Sequence, residues 1–175
     1  YLGGQFKNIQ LFDLIYIPGE PNKGKNELIV AFGIDKSKSE NTLVAVEIHF
    51  DVRTVTISKM FDNLDKSLLN VDLSFKFNKK HNTYNTESGT PFAISYEDSK
   101  IKLSFVKKDN LEVIVIETND KLSSSKLISK NKILNYDISL DSYLLLDEIT
   151  NKSVIVAGKS SNGEIVYASN DKNKL

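Results

Sequence analysis

The sequence predicts an all-β protein, and three observations support that fold class. Most segments of the 175-residue chain alternate apolar and polar residues with a period of two, or are short apolar runs rich in β-branched side chains. The joints between them are polar and carry turn-forming residues. Only one short segment has a helical pattern. With 40% hydrophobic and 26% charged residues, the chain can bury one sizeable core.

The predicted strands differ in how many of their faces are apolar. In LNVDLSFKF (69–77) the apolar residues all fall on one face, which indicates one buried side. In ELIVAFG (27–33) every position from Leu28 to Phe32 is apolar, as is typical of a central strand covered on both faces, and LEVIVIET (111–118) is similar. The other predicted strands are IQLFDLIYI (9–17), TLVAVEIHF (42–50), RTVTISKM (53–60), TPFAISY (90–96), KIKLSFV (100–106), ISLDSYLLLDEI (138–149), SVIVAG (153–158) and EIVYAS (164–169).

These strands together predict a core. Its members are the apolar residues that the alternation places on buried faces. They are Leu28, Val30, Phe32, Val44, Val46, Ile48, Leu73, Phe75, Leu103, Phe105, Ile114, Ile116, Ile155 and Val166.

The joints predict turns, loops and one short helix. Asn162-Gly163 is a strong hairpin signal between two predicted strands. Residues 18–26 and 78–90 form the two longer loops. The helix is expected over residues 62–69, with Asp62 as its cap and Asp65 at the third helical position.

The predicted architecture is an antiparallel two-sheet β-sandwich of jelly-roll or lectin-like size, formed by residues 1–175 as a single domain. No Gly/Ser linker or change in composition divides the chain. The alternative is a blade-like β-meander belonging to a β-propeller. It follows from a recurrence of three or four short strands with polar joints, seen in residues 26–61, 91–133 and 142–169.

Composition argues against several functional classes. Lys+Arg and Asp+Glu both number 23, and Arg53 is the only arginine, so we expect no nucleic-acid partner. The absence of cysteine excludes disulfides, thiolate metal sites and a cysteine nucleophile. No apolar run approaches the length of a membrane span, so none is expected. The N-terminal residues carry no signal-peptide pattern, so we expect either that no such peptide existed or that it was removed.

No motif for catalysis, a metal or a cofactor is recognised, and we expect a protein that is not an enzyme. Glu47 and His49 share one strand face and could begin a metal site or an acid–base pair, but a solvated strand face is the favoured interpretation. Acidic and amide groups at residues 62–65 and 170–171 lack the spacing of a calcium loop. No nucleophile elbow, phosphate-binding loop or dinucleotide fingerprint occurs.

The functional hypothesis is a non-catalytic recognition or structural module that binds a protein or a glycan through its loops. The candidate binding residues are His81, Tyr84 and Glu87 in the loop 78–90, because polar loops on a rigid sheet are common recognition surfaces. An extracellular or cell-surface location is favoured over a cytoplasmic one. The alternatives are an intracellular interaction scaffold built from propeller blades and an enzyme with a site in its loops.

Overall fold

The fold is mostly β. The computed structural model describes residues 4–37, 39–73, 76–79, 90–108, 112–132, 143–149, 154–159 and 165–169. Helix in this part of the chain is limited to short 3-10 turns at Gly4–Phe6, Pro21–Lys23 and Lys66–Leu69. The strands are β1 (Ile9–Ile17), β2 (Leu28–Asp35), β3 (Thr42–His49), β4 (Thr54–Ile57), β5 (Lys76–Lys79), β6 (Phe92–Glu97), β7 (Lys100–Lys107), β8 (Glu112–Asn119), β9 (Ser125–Lys132), β10 (Tyr143–Ile149), β11 (Val154–Lys159) and β12 (Ile165–Ser169).

The strands form three four-stranded sheets. The first has the order β1-β2-β3-β4 and another has the order β6-β7-β8-β9, so both are antiparallel meanders that follow the chain. The remaining sheet has the order β12-β11-β10-β5, in which β5 pairs parallel with β10. The all-β prediction is confirmed, and two antiparallel four-stranded sheets are consistent with the predicted sandwich. No helix in the described residues is long and apolar enough to cross a membrane.

The chain divides into two compact units. The first consists of Tyr1–Val71, Tyr96–Lys102 and Glu117–Lys126. The second consists of Asp72–Ser95, Leu103–Ile116 and Leu127–Leu175. The single domain stays a prediction.

The first sheet, in the first unit, has two faces of different character. Directly paired residues of antiparallel strands project to the same side, so the register assigns each side chain to a face. The face that we call the buried face includes Ile17, Val30, Phe32, Ile34, Leu43 and Ala45, all of them buried. The face that we call the outer face carries Ile9, Leu11, Leu14, Tyr16, Ile29, Ala31, Gly33, Asp35, Thr42, Val44, Val46, Ile48, Val55 and Ile57.

A β-bulge in β1 depends on a glycine in β2. The register shifts between Leu11 and Asp13, so Phe12 is the extra residue. Gly33 lies opposite Leu11, and a Cβ there would come within 2.5 Å of the carbonyl oxygen of Gln10. Only glycine therefore permits this close approach of the two strands.

The hairpin turns follow local residue chemistry. Asp98 and Ser99 join β6 to β7 and both have positive φ, which is the pattern of a two-residue turn with the twist of the flanking strands. Strands β11 and β12 pair antiparallel, as the Asn162-Gly163 signal predicts, although the turn itself lies outside the described residues.

The predicted core is confirmed in its central members and wrong at four positions. Val30, Phe32, Val46, Leu103, Phe105, Ile114 and Ile116 are buried. Leu28, Val44, Ile48 and Leu73 are only half-buried. Val44 and Ile48 belong to the outer face, where Val46 between them is buried, so this face is covered at its centre and not at these two positions. Leu73 lies in a turn. Phe75 and the side chains of Ile155 and Val166 lie outside what the structure describes.

The strand predicted over 69–77 is wrong as a continuous element. Asn70 forms an isolated bridge with Thr42, and the Val71 N–H donates to the carbonyl of Asn41 at 2.9 Å. The next N–H, of Asp72, donates to the carbonyl of Val106. Successive backbone groups thus bond to different segments, and β5 begins only at Lys76. Alternation alone could not show this change of partner.

Two smaller predictions are corrected. The helix expected over 62–69 is a 3-10 turn at Lys66–Leu69, and its cap is Asp65, whose side chain accepts a hydrogen bond from the Ser67 N–H at 2.9 Å. Strand β9 was not among the predicted strands, because its sequence SKLISKNK is dominated by polar residues. It lies at the edge of its sheet, where polar residues are common.

Candidate recognition cleft

An open cleft lies at one end of the first sheet, within the first unit. Its volume is about 490 Å³. It is bounded by the end of β1, the loop that joins β1 to β2, and the turn that joins β3 to β4. The lining residues are Tyr16, Pro18, Gly19, Pro21, Lys25, Asn26, Glu27, Phe50 and Asp51.

The loop of the cleft is held by its own backbone. Glu20 and Lys25 form a bridge in which each N–H donates to the other's carbonyl, at 2.9 and 3.1 Å. Gly24 ends the 3-10 turn in the left-handed conformation at φ 65°, which glycine adopts without strain. A Cβ at Gly19 would lie 2.9 Å from the backbone nitrogen of Glu27, so glycine also allows the loop to close. The cleft therefore has a wall that is ordered before any ligand binds.

Two aromatic rings are presented in the cleft. Tyr16 comes from the end of β1 and is 50% exposed, and Phe50 follows β3 and is 46% exposed. Tyrosine and phenylalanine rings at a surface offer a large contact area with few torsions to immobilise. Both rings are available for contact with a ligand.

Two carboxylates flank the rings and take their hydrogen bonds from neutral groups. The Tyr16 hydroxyl donates to Glu27 Oε2 at 2.6 Å, and the Asn26 side-chain amide donates to Asp51 Oδ2 at 2.6 Å. Within the described part of the chain, neither Glu27 nor Asp51 forms an ion pair. The hydrogen bond from Tyr16 to Glu27 raises the pKa of the Tyr16 hydroxyl, with desolvation and the negative charge of Glu27 acting in the same direction.

The other charges near the cleft neutralise one another. Lys25 bonds to Asp120 and, at 3.2 Å, to Glu20, while Lys23 pairs with Glu20. The hydrogen bond with Asp120 is the first cause that raises the pKa of Lys25, and the hydrogen bond with Lys23 is the first that lowers the pKa of Glu20. Two lysines and two carboxylates sum to zero charge. The net charge of the cleft therefore comes from Glu27 and Asp51.

This combination suits a cationic group. The faces of aromatic rings attract ammonium and guanidinium ions, and carboxylates bond to the same groups. An anionic ligand would be repelled by the two carboxylates, and a neutral ligand could donate hydrogen bonds to them without neutralising their charge. The geometry of the cleft thus favours the side chain of a lysine or arginine, or a similar cation.

The predicted binding residues are not tested by these observations. His81, Tyr84 and Glu87 lie outside the described residues. The sequence pattern that could have indicated the cleft is the Pro- and Gly-rich segment 18–26, which by itself predicts only a long loop. The loop 18–26 lies close to Phe50 and Asp51 because of the strand register, and a single sequence does not show that register.

The residues that the sequence suggested for a metal site or an acid–base pair form hydrogen bonds within the fold. His49 Nε2 lies 2.9 Å from Glu47 Oε2, and both side chains are half-buried. Across the described ranges, no group of three His, Cys, Asp or Glu side chains could hold a metal ion. Asn63 forms two hydrogen bonds with the backbone of Ser125, at 2.7 and 2.9 Å, and Asp65 caps a turn.

Comparisons of the chain with protein-family models, with curated proteins and with solved structures found no match. Its function therefore has to be inferred from its own residues.

Proposed function

We propose that this protein is a non-catalytic recognition module that binds a protein partner by taking a lysine or arginine side chain into the cleft. The observation that carries the proposal is the pairing of two half-exposed rings, Tyr16 and Phe50, with two carboxylates that lack a cationic partner in the described residues, Glu27 and Asp51. The partner's cation would lie against the aromatic rings and form ion pairs with the carboxylates at the same time.

A protein partner is favoured over the other ligand classes. Proteins display lysine and arginine on their surfaces, whereas the nucleic-acid backbone is anionic and would be repelled by Glu27 and Asp51. A neutral glycan could stack on the rings and donate hydroxyl hydrogen bonds to the two carboxylates, but it would not neutralise their charge as a lysine or arginine does. The preformed loop wall is typical of a surface that recognises without rearranging.

The test is binding of labelled peptides by fluorescence anisotropy. The probes are a short peptide with a central Lys-Arg pair and the same peptide with Glu at both positions. We expect the basic peptide to bind and the acidic one not to bind, with affinity falling as salt is added. The variant Glu27→Gln with Asp51→Asn should weaken binding up to about tenfold, and Phe50→Ala should weaken it about threefold.

Matched controls come from exposed acids elsewhere in the first unit. The double variant Glu40→Gln with Asp62→Asn removes the same two charges away from the cleft lining and should leave binding unchanged. Equal affinity for the basic and acidic peptides would contradict the proposal. Binding on a glycan array without binding of the basic peptide would contradict the choice of a protein partner.

A second candidate is an interaction scaffold built from propeller blades. It is supported by the chain-order meanders of the sheets β1-β2-β3-β4 and β6-β7-β8-β9, which is the strand order of a blade. An experimental structure with the sheets arranged radially around one axis would support this candidate. Two sheets stacked face to face would contradict it.

A further inference from the structure

The cleft has a lysine of its own in its lining. Among the lining residues within the described part of the chain, Lys25 is the only cation. Its N–H donates to the carbonyl of Glu20 at 3.1 Å, so the loop fixes its backbone two positions before Glu27. The Cα atoms of residues 25 and 27 can lie no more than about 7 Å apart. The flexible four-carbon stem of lysine spans that distance, so the chain carries its own competitor for a cationic ligand.

Two carboxylates outside the cleft lining hold this lysine. Lys25 Nζ lies 2.5 Å from Asp120 Oδ2 and 3.2 Å from Glu20 Oε1, and neither carboxylate belongs to the lining. Glu20 also pairs with Lys23 at 2.5 Å. Within the described residues, Asp120 is therefore the carboxylate that Lys25 does not share with another lysine.

Asp120 is well placed to anchor the lysine. Its side chain is only 11% exposed, against 37% for that of Lys25. Its N–H donates to the carbonyl of Ser99 at 3.0 Å, and the Leu122 N–H donates to the carbonyl of Asn119 at 3.1 Å, so the turn between β8 and β9 is ordered by its own backbone. A carboxylate with so little access to water binds its counter-ion more firmly than an exposed one. Asp120 is thus the fixed partner of the pair, and the lysine is the flexible one.

We propose that Asp120 is a positioning residue of the cleft, which holds Lys25 away from Glu27 and Asp51 and so keeps these two carboxylates available to the cation of a partner. The inference rests on the proposed function, because it concerns how the same cleft stays open. When Asp120 loses its charge, Lys25 pairs with Glu27 or Asp51 and the chain blocks its own site.

The test compares two variants that both lack the ion pair between Lys25 and Asp120. Asp120→Asn keeps the charged lysine, whereas Lys25→Met with Asp120→Asn removes it and leaves no buried charge unpaired. Fluorescence anisotropy with the basic peptide should show binding weakened about fivefold in Asp120→Asn and within about twofold of the wild-type chain in the double variant. An ion pair that only stabilised the loop would weaken both variants equally, and that result would overturn the proposal.

The matched control for the change in charge is Glu20→Gln. It removes one negative charge from the other carboxylate beside Lys25, while Asp120 still holds the lysine. Binding of the basic peptide should weaken by less than about twofold. A loss as large as that of Asp120→Asn would show that net charge decides the affinity and would overturn the proposal.

A crystal structure of Asp120→Asn without peptide separates this proposal from the proposed function. We expect Lys25 Nζ within about 4 Å of a carboxylate oxygen of Glu27 or Asp51. That arrangement supports the role of Asp120 whether or not the wild-type chain binds the basic peptide, and a failure to bind contradicts the proposed function alone. A lysine that stays beside Glu20 in this variant would overturn the role of Asp120.

Discussion

The two faces of the first sheet differ in composition and in how their apolar residues are exposed: the register places Asp13, Glu47 and His49 on the buried face, and only Asp35 is charged among the residues paired on the outer face. On the buried face, Val30, Phe32 and Ile34 have no exposed surface. On the outer face of the neighbouring strand β1, Leu14 and Tyr16 are about half exposed, whereas Ala31 on the outer face of β2 is buried. A strand with one solvated face normally alternates apolar and polar residues, and β2 does not.

The difference shows that apolar character and burial are separate properties. The outer face has the residues of a core, yet its edge positions on β1 and β4 remain accessible within the chain. A buried side chain contributes to the stability of the fold through its packing, whereas an exposed one contributes little. Substitutions at Phe32 and at Leu14 should therefore change the free energy of unfolding by different amounts.

The largest expected effect compares one residue from each face. Phe32→Ala should lower the free energy of unfolding by about 3–5 kcal/mol, because it removes a fully buried ring and leaves a cavity. Leu14→Ala should change it by less than about 0.5 kcal/mol, because that side chain is exposed in the monomer. Urea unfolding at low protein concentration measures both values. Similar losses for the two variants would show that the outer face is buried as well.

The next prediction tests the backbone between the faces. Gly33→Ala should lower the free energy of unfolding by about 1–3 kcal/mol, because the new Cβ would clash with the Gln10 carbonyl at the bulge. Gly24→Ala is the control: no atom lies within 4 Å of its Cβ position, so only the left-handed conformation, worth about 1 kcal/mol, opposes it. A smaller loss for Gly33→Ala than for Gly24→Ala would contradict the close approach of β1 and β2.

A smaller effect is expected from the charged group beside the cleft. The raised pKa of Lys25 means that its stabilising contribution is present below its ordinary pKa and is lost as the pH rises through the higher value of the folded state. The lowered pKa of Glu20 means that its contribution is lost only as the pH falls below 4.5 and through the lower value. Lys25→Met should flatten the alkaline limb of a stability–pH curve and should flatten the acid limb less, because Lys23 still pairs with Glu20. Lys7→Met, at an exposed lysine, is the control and should leave the curve unchanged.

The smallest effect concerns Tyr16, which lies on the outer face and in the cleft. Glu27→Gln should lower the pKa of Tyr16 towards its ordinary value near 10.0, because the accepting carboxylate and its negative charge are removed. The chain has seven tyrosines, and the difference between the ultraviolet titration curves of the wild-type chain and Glu27→Gln reports the change at Tyr16. Identical titration curves would contradict the hydrogen bond between Tyr16 and Glu27.

Much of the fold could be predicted from local pattern. The alternation and the apolar runs correctly identified the all-β class and the buried centres of β2, β7 and β8, including Phe32, Leu103 and Ile114. The site could not be predicted in the same way. Tyr16, Glu27 and Phe50 come from three separate segments, and only the strand register brings them to one cleft.

The sequence by itself determined that β2 is apolar on both sides, because strand periodicity is a property of neighbouring residues. It also contained the signals for the turn at Lys66–Leu69 and the hairpin between β11 and β12. Only the tertiary structure decided that Val30, Phe32 and Ile34 are packed into a core while Leu11 and Leu14, on the edge strand β1, stay exposed. Burial depends on which distant segments cover a face, and the free energy of that packing is not encoded in the period of any single strand.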